Sequence, residues 1–194
     1  MTTRERILDA AAHVMRELGL AHATTKEIAR RAGFSEATLY KHFRDKHDIF
    51  LGVIVERLPP LGAALMDATR HVGQRTVREN LEEVVGAAID FYSASFPMAG
   101  SMLAEPDLIA RQRATNAEHG AGPDRPVRAV ADYVRAERDL GRLRPEADPE
   151  AIAALLLGAC FQRAFLEQFV DEVPGGAADS LVASLLDPVL PEGR

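Results

Sequence analysis

Between Thr24 and Lys46 the chain reads TTKEIARRAGFSEATLYKHFRDK, and Glu36, Ala37, Thr38, Tyr40, Lys41 and His42 fall there outside any apolar face. Hydroxyls and cations of this kind suit contacts to phosphate, while a carboxylate can accept from cytosine N4 and a methyl group can meet the methyl of thymine. This is the chemistry of recognition. No GxSxG, HExxH, GxGxxG, P-loop or CxxC pattern occurs, so no enzyme activity, metal or cofactor is expected.

Two short helices must carry these side chains. Thr24 followed by Glu27 fits a capping box, which predicts a helix from about Thr25 with Ile28, Ala29 and Ala32 on its apolar face. Gly33 supplies the residue that takes a positive φ just past its end. Ser35 is the next cap, and Leu39 and Phe43, four apart, form the inward face of a second helix. Helices that cross steeply at a short turn need small residues where their backbones meet, and Ala29 and Gly33 provide them. With Thr25 counted as the first residue, Ala29, Gly33 and Leu39 fall at positions 5, 9 and 15, the spacing of helix-turn-helix proteins. Glu36 and Ala37 at the tip of the second helix are then the candidates for base edges. Glu36 has a second open reading, as an acid that favours the dipole of a first helical turn.

The segment AGFSEATLYKHFRDK also resembles the family of TetR-like transcriptional repressors, whose pattern is close to AGVSxGTLYxHFxxK. The resemblance covers residues 4 to 50 or so. Phe34 stands where that family more often has Val, and Glu36-Ala37 where a small residue and Gly are common. The resemblance implies that Thr38, Tyr40, Lys41 and His42 face double-stranded operator DNA, and that Thr25 and Lys46 touch its backbone at flanking helix starts. It further implies a homodimer formed by the last two long helices packed as a four-helix bundle, and a small-molecule effector bound among the middle helices. The expected fold is all-α, with a three-helix helix-turn-helix head over 1–47 and a helical ligand-binding and dimerisation domain over 48–194. A regulator of the same fold with no effector is the alternative.

Charge distribution agrees with such a division. Residues 1–47 hold nine Lys and Arg against six Asp and Glu, +3, whereas the remainder holds fourteen against twenty-three, −9. All three lysines, Lys26, Lys41 and Lys46, lie in the first part. That asymmetry attracts phosphate at one end and repels it from the other. Lys26, Arg30, Arg31 and Arg44 are read as solvated charge and not as individual contacts. The N-terminus is too polar for a signal peptide, and no apolar run approaches the ~20 residues of a bilayer span, so a cytoplasmic protein is expected.

Along the chain, Thr3 is the predicted cap of a first helix carrying Ile7, Leu8, Ala11, Val14, Met15 and Leu18, ended by Gly19. Asp45 and Asp48 open a helix with Ile49, Phe50, Val53 and Ile54 on one side, which Pro59-Pro60 must break. Thr76 and Glu79 form a further capping box ahead of a helix striped with Leu81, Val84, Val85, Ala88, Ile89 and Tyr92. Pro97 and Pro106 are expected to divide the next stretch into short helical pieces, and GAGPD (120–124) reads as a loop. A helix over 126–140 and another after Asp148 come next, and VPGG (173–176) precedes a last one near 179–189.

The helix after Asp148 is unusual, because Ala151 to Phe161 has no polar residue on any face. It must be buried against its own domain on one side and against something else on the other: either the interior of a large monomer or a second copy of the chain, which would place the dimer contact in residues 148–190 with Ala154, Gly158 and Ala159 allowing close approach. Phe91, Tyr92, Phe96, Met98, Met102, Phe161 and Phe165 are candidates to line an effector pocket, though such a stripe is more often plain core. Asp90 and Glu105 suit a cationic effector or plain solvation. Cys160 reads as a small core residue and His119 as exposed.

Overall fold

The structure is a computed structural model and describes residues 1–119, 122–173 and 178–190; among them there are helices and no strands. The helices are α1 (Thr3–His22), α2 (Thr25–Ala32), α3 (Glu36–Tyr40), α4 (Lys46–Glu56), α5 (Leu61–Arg70), α6 (Val77–Leu103), α7 (Pro106–His119), α8 (Arg125–Asp139), α9 (Pro149–Leu166) and α10 (Ala178–Leu186), followed by a 3₁₀ turn over Asp187–Val189. An all-α architecture is what the periodicity predicted. By contact the chain forms two compact units: Met1–Pro59 with Ala94–His119, and Pro60–Ser93 with the described residues after His119.

In the first unit α1 packs against α2 and α4, burying Ile7, Leu8, Ala11, Val14 and Met15 with Ile28, Leu39, Ile49, Phe50 and Val53. Its cap is Thr2 and not Thr3: the Thr2 hydroxyl accepts from Glu5 N–H while the Glu5 carboxylate takes the Thr2 N–H. Nor does α1 end at Gly19. The helix breaks there with φ 73° and resumes for one turn. Ser101 explains the break, since its hydroxyl accepts from the freed N–H of Leu20 at 2.6 Å, and any Cβ on residue 19 would lie 2.7 Å from the Ser101 Cβ. Pro97, expected to divide the helix, lies inside an unbroken α6 of 27 residues. The Pro59-Pro60 break, the Asp45 cap and the Thr76/Glu79 capping box occur as the sequence predicted.

The second unit is built on α8 against α9, with Leu81, Val84, Val85 and Ala88 of α6 and Val182 and Leu186 of α10 closing the core. Cys160 lies fully inside this core, and burial pushes its thiol up to about 11, as befits a small packing residue and not a thiolate. The loop at 120–124 falls partly, and VPGG largely, outside the described residues, as does the side chain of His119. At 18 residues α9 is long and apolar enough, by length and composition, to cross a membrane, against expectation. Its inner face, however, is the core of its unit: Ile152, Ala153, Leu156, Leu157, Cys160 and Ala164 are all buried.

One polar cluster interrupts that core. Glu137 is 0% exposed, takes the Gly73 N–H on Oε1 at 3.2 Å and meets Arg142 at 3.0 Å, and Asn80 donates to the Tyr133 hydroxyl at 2.9 Å. Arg142 also donates to the carbonyl of Arg75. The pair ties the end of α8 to the turn before α6. Stranding one member of a buried ion pair typically costs about 3–5 kcal/mol, and with its Arg142 side chain 23% exposed this pair belongs at the low end. Arg142→Ala is therefore expected to lower unfolding free energy by about 3 kcal/mol at unchanged urea m-value. A loss below ~1 kcal/mol would show the carboxylate to be solvated instead.

Candidate nucleic-acid interface

The site is built on the α2–α3 turn. Thr24 caps α2 by accepting from Glu27 N–H at 3.1 Å, but the reciprocal half of the expected capping box is absent, because the Glu27 carboxylate pairs with Arg30 at 2.5 Å. Gly33 has φ 76° and ψ 31°, and its N–H and that of Phe34 return to the carbonyls of Arg30 and Ala29. Only a residue free of Cβ strain takes that conformation readily. Ser35 caps α3 through Thr38 N–H, and Leu39 and Phe43 enter the core. Phe34, unusual against the family pattern, lies with its ring 4.5 Å below the Arg6 guanidinium, which also donates to the Ala32 carbonyl at 3.0 Å. The aromatic ring thus helps hold the turn to α1, a role no local sequence signal reveals.

The predicted interface residues are brought to one region with different degrees of commitment. Ala37, Lys41 and His42 are exposed; Lys41 and His42 lie just past the end of α3, which is shorter than expected. Tyr40 is 51% exposed. Thr38 Oγ1 lies 3.0 Å from the capping hydroxyl of Ser35. Thr25, the first residue of α2, donates from Oγ1 to Glu36 Oε1 at 2.5 Å, and the same oxygen lies 3.3 Å from the Tyr40 hydroxyl. Lys46 points elsewhere: its ammonium donates to the carbonyls of Leu20 and Ala21 at 2.9 and 3.1 Å, and burial lowers its pKa.

Neighbouring charges are largely spoken for. Arg30 pairs with Glu27, Arg31 with Glu17 at 2.7 Å, and Arg44 with Asp48 at 3.3 Å, a partnership that raises the Arg44 pKa. Lys41 makes no ion pair among the described residues. Asp45, the cap of α4, also binds Arg111 at 2.7 Å; burial alone would raise its carboxyl, but the Asp48 N–H and then Arg111 hold it below the usual range. His47 beside it is buried, and desolvation, helped by Arg111, lowers its pKa.

The residues considered for an effector divide between the units. Phe91, Tyr92, Phe161 and Phe165 belong to the second unit, where edge-on contacts of 5.7 Å link Phe91 to Tyr92 and Tyr92 to Phe161. Met98, 1% exposed, and Met102 belong to the first. Asp90 and Glu105 are exposed.

Residues 7–53 match the sequence family described as bacterial regulatory proteins, tetR family. Over 88 residues the chain is 36% identical to the HTH-type transcriptional regulator SrpR of Pseudomonas putida, a match that covers 45% of this chain and 38% of SrpR. It is also 36% identical over 88 residues to the HTH-type regulator TtgW, likewise of Pseudomonas putida, covering 45% of this chain and 61% of that one. The chain thus aligns with roughly two to three fifths of the length of these curated relatives. Among solved structures, SmeT, the repressor of the Stenotrophomonas maltophilia multidrug efflux pump SmeDEF, superposes with a TM-score of 0.65 at 23% identity, covering 100% of this chain and 93% of SmeT. That likeness establishes the fold. With the capped turn at Gly33, the buried Leu39 and the match over residues 7–53 taken together, the chain is TetR-like and carries the helix-turn-helix head of the tetR family of bacterial regulatory proteins.

Proposed function

We propose that the chain is a DNA-binding transcriptional regulator: a cytoplasmic homodimer that represses from a palindromic operator and is released by a small-molecule effector. The observation that carries the DNA reading is the contrast within the head. Arg30, Arg31 and Arg44 are tied in ion pairs, while Lys41 and His42 make no ion pair among the described residues and, with Ala37, stand exposed beside the reading helix. In this reading α3 enters the major groove, Lys41 and His42 meet phosphate, Thr38 adds a hydroxyl and Tyr40 its exposed ring, the first-turn backbone at Lys46 approaches the duplex, and Glu36 and Ala37 address base edges.

The dimer reading is supported by the outer face of α9. Ala151, Ala154, Leu155, Gly158, Phe161 and Phe165 are exposed on it, with Phe161 at 49% and Phe165 at 43%. A second copy of α9 and α10 would cover this stripe. Effector release is supported by the aromatic cluster at Phe91, Tyr92 and Phe161, and by the relatives; SmeT has been solved in complex with triclosan. A ligand acts by preferring one arrangement of the dimer, and a coupling of about 1–3 kcal/mol is typical.

A Cβ added at Gly158 meets nothing within 4 Å, so Gly158→Arg spares the subunit and charges only the proposed seam. It is expected to scatter light as a monomer, and its affinity for an inverted-repeat operator should fall toward the non-specific ~10⁻⁴ to 10⁻⁶ M. A dimeric variant with unchanged DNA binding would move the interface elsewhere. In a dimer, Lys41→Ala removes two phosphate contacts; affinity should drop alike on all sequences, and the log–log salt slope should shrink by about 0.9 per contact. An unchanged slope would exclude Lys41 from the backbone contacts. An effector at a hundred times its Kd should add about 2.7 kcal/mol to stability, visible as a thermal shift in a compound screen, and should weaken operator binding. A compound that shifts melting but leaves DNA affinity untouched would support the regulator without an effector.

A further inference from the structure

Glu36 does not sit as an acid that merely suits a helix dipole. Ser35 already satisfies the Thr38 N–H, so α3 is capped without it, and the Glu36 carboxylate is instead held across the turn by α2. The Thr25 hydroxyl has one hydrogen, and it goes to Glu36 Oε1 at 2.5 Å. That hydroxyl is therefore not available to donate to a phosphate. Its lone pairs face the Tyr40 hydroxyl at 3.3 Å, which completes a chain from Tyr40 through Thr25 to Glu36. Oε2 of Glu36 makes no hydrogen bond, and no Lys or Arg pairs with the group, among the described residues. A carboxylate so placed on the tip of a reading helix is repelled by phosphate and by acceptor edges, and gains only from a donor.

We infer that Thr25 is a positioning residue that turns the free oxygen of Glu36 toward the exocyclic amine of a cytosine, so that the pair sets base preference at one position of each half-site. The inference rests on the DNA-binding reading above. Of the four major-groove edges, cytosine offers the N4 donor without an adjoining acceptor; guanine presents N7 and O6 and thymine O4, all of which repel a carboxylate, and adenine sets N7 beside its N6 donor. Thr25 thereby acts through Glu36 and not on the backbone, and the discrimination is partly repulsive.

The test uses the full-length chain on duplexes enriched from a random library, then a panel of single-base variants of the selected site, with folding of each protein checked by circular dichroism. Glu36→Ala should relax the preference for cytosine at one pair per half-site by between about 5-fold and about 150-fold. Thr25→Val, which leaves the Thr24 cap in place, should relax the same pair, Thr25→Ser should restore it, and the Thr25→Val/Glu36→Ala double variant should match Glu36→Ala alone. Loss of affinity by Thr25→Val that is uniform over all base variants would make Thr25 a phosphate contact and overturn the inference, as would an unchanged profile in Glu36→Ala. Wild-type protein that enriches no sequence at all removes the DNA reading and this inference together.

Discussion

A helix of five residues has no stability of its own, since nucleation alone outweighs the few hydrogen bonds it makes. Everything about α3 therefore depends on being held from outside. Leu39 and Phe43 anchor it in the core formed by α1 and α4, Ser35 closes its first turn, Gly33 sets the angle at which it leaves α2, and Thr25 reaches over to Glu36. Each is individually worth a kilocalorie or a few at most. Together they fix the direction of the side chains that are not buried, which is the property a reading helix needs.

The electrostatics of the head follow a similar logic. Residues 1–47 carry an excess of positive charge, yet among the described residues Arg30, Arg31 and Arg44 are each held by a carboxylate, so net charge and freely presented charge are different quantities there. Lys46 shows how a cation can serve structure instead. Its ammonium closes the last turn of α1 from the carbonyl side, while Ser101 closes the same turn from the N–H side; the break at Gly19 frees the N–H groups, and the end of the helix at His22 frees the carbonyls. Hydrogen-bonding demand from one irregular turn thus draws α1, α4 and the last part of α6 together.

The second unit differs in kind. Its core is apolar apart from the cluster around Glu137, and α9 is apolar on both its inner and outer faces. The inner face packs the core of its own subunit. The outer face, small at Ala154 and Gly158 and aromatic at Phe161 and Phe165, has the composition of an interior surface and is exposed at these positions.

Local sequence alone determined most of the helix caps and the turn, because a cap needs only a hydroxyl or carboxylate within three residues and a positive φ needs only a glycine: Gly33, Ser35, Asp45, Thr76 and Asp148 act as their types and spacing predict, Thr24 caps α2 without the reciprocal bond from Glu27, and the cap of α1 is Thr2 in place of Thr3. Periodicity likewise marked Leu39 and Phe43, and the lack of polar residues from Ala151 to Phe161 marked α9. Other features were decided by residues far away in sequence, which no local pattern carries. Pro97 leaves α6 continuous, since packing of a long amphipathic helix outweighs one missing hydrogen bond. Lys46 turned inward because α1 presents carbonyls to it, and Phe34 found Arg6 across the turn. Glu36 was legible as a candidate but not as the partner of Thr25, since that bond exists only after α2 and α3 have crossed and brought residues eleven apart in sequence into hydrogen-bonding distance.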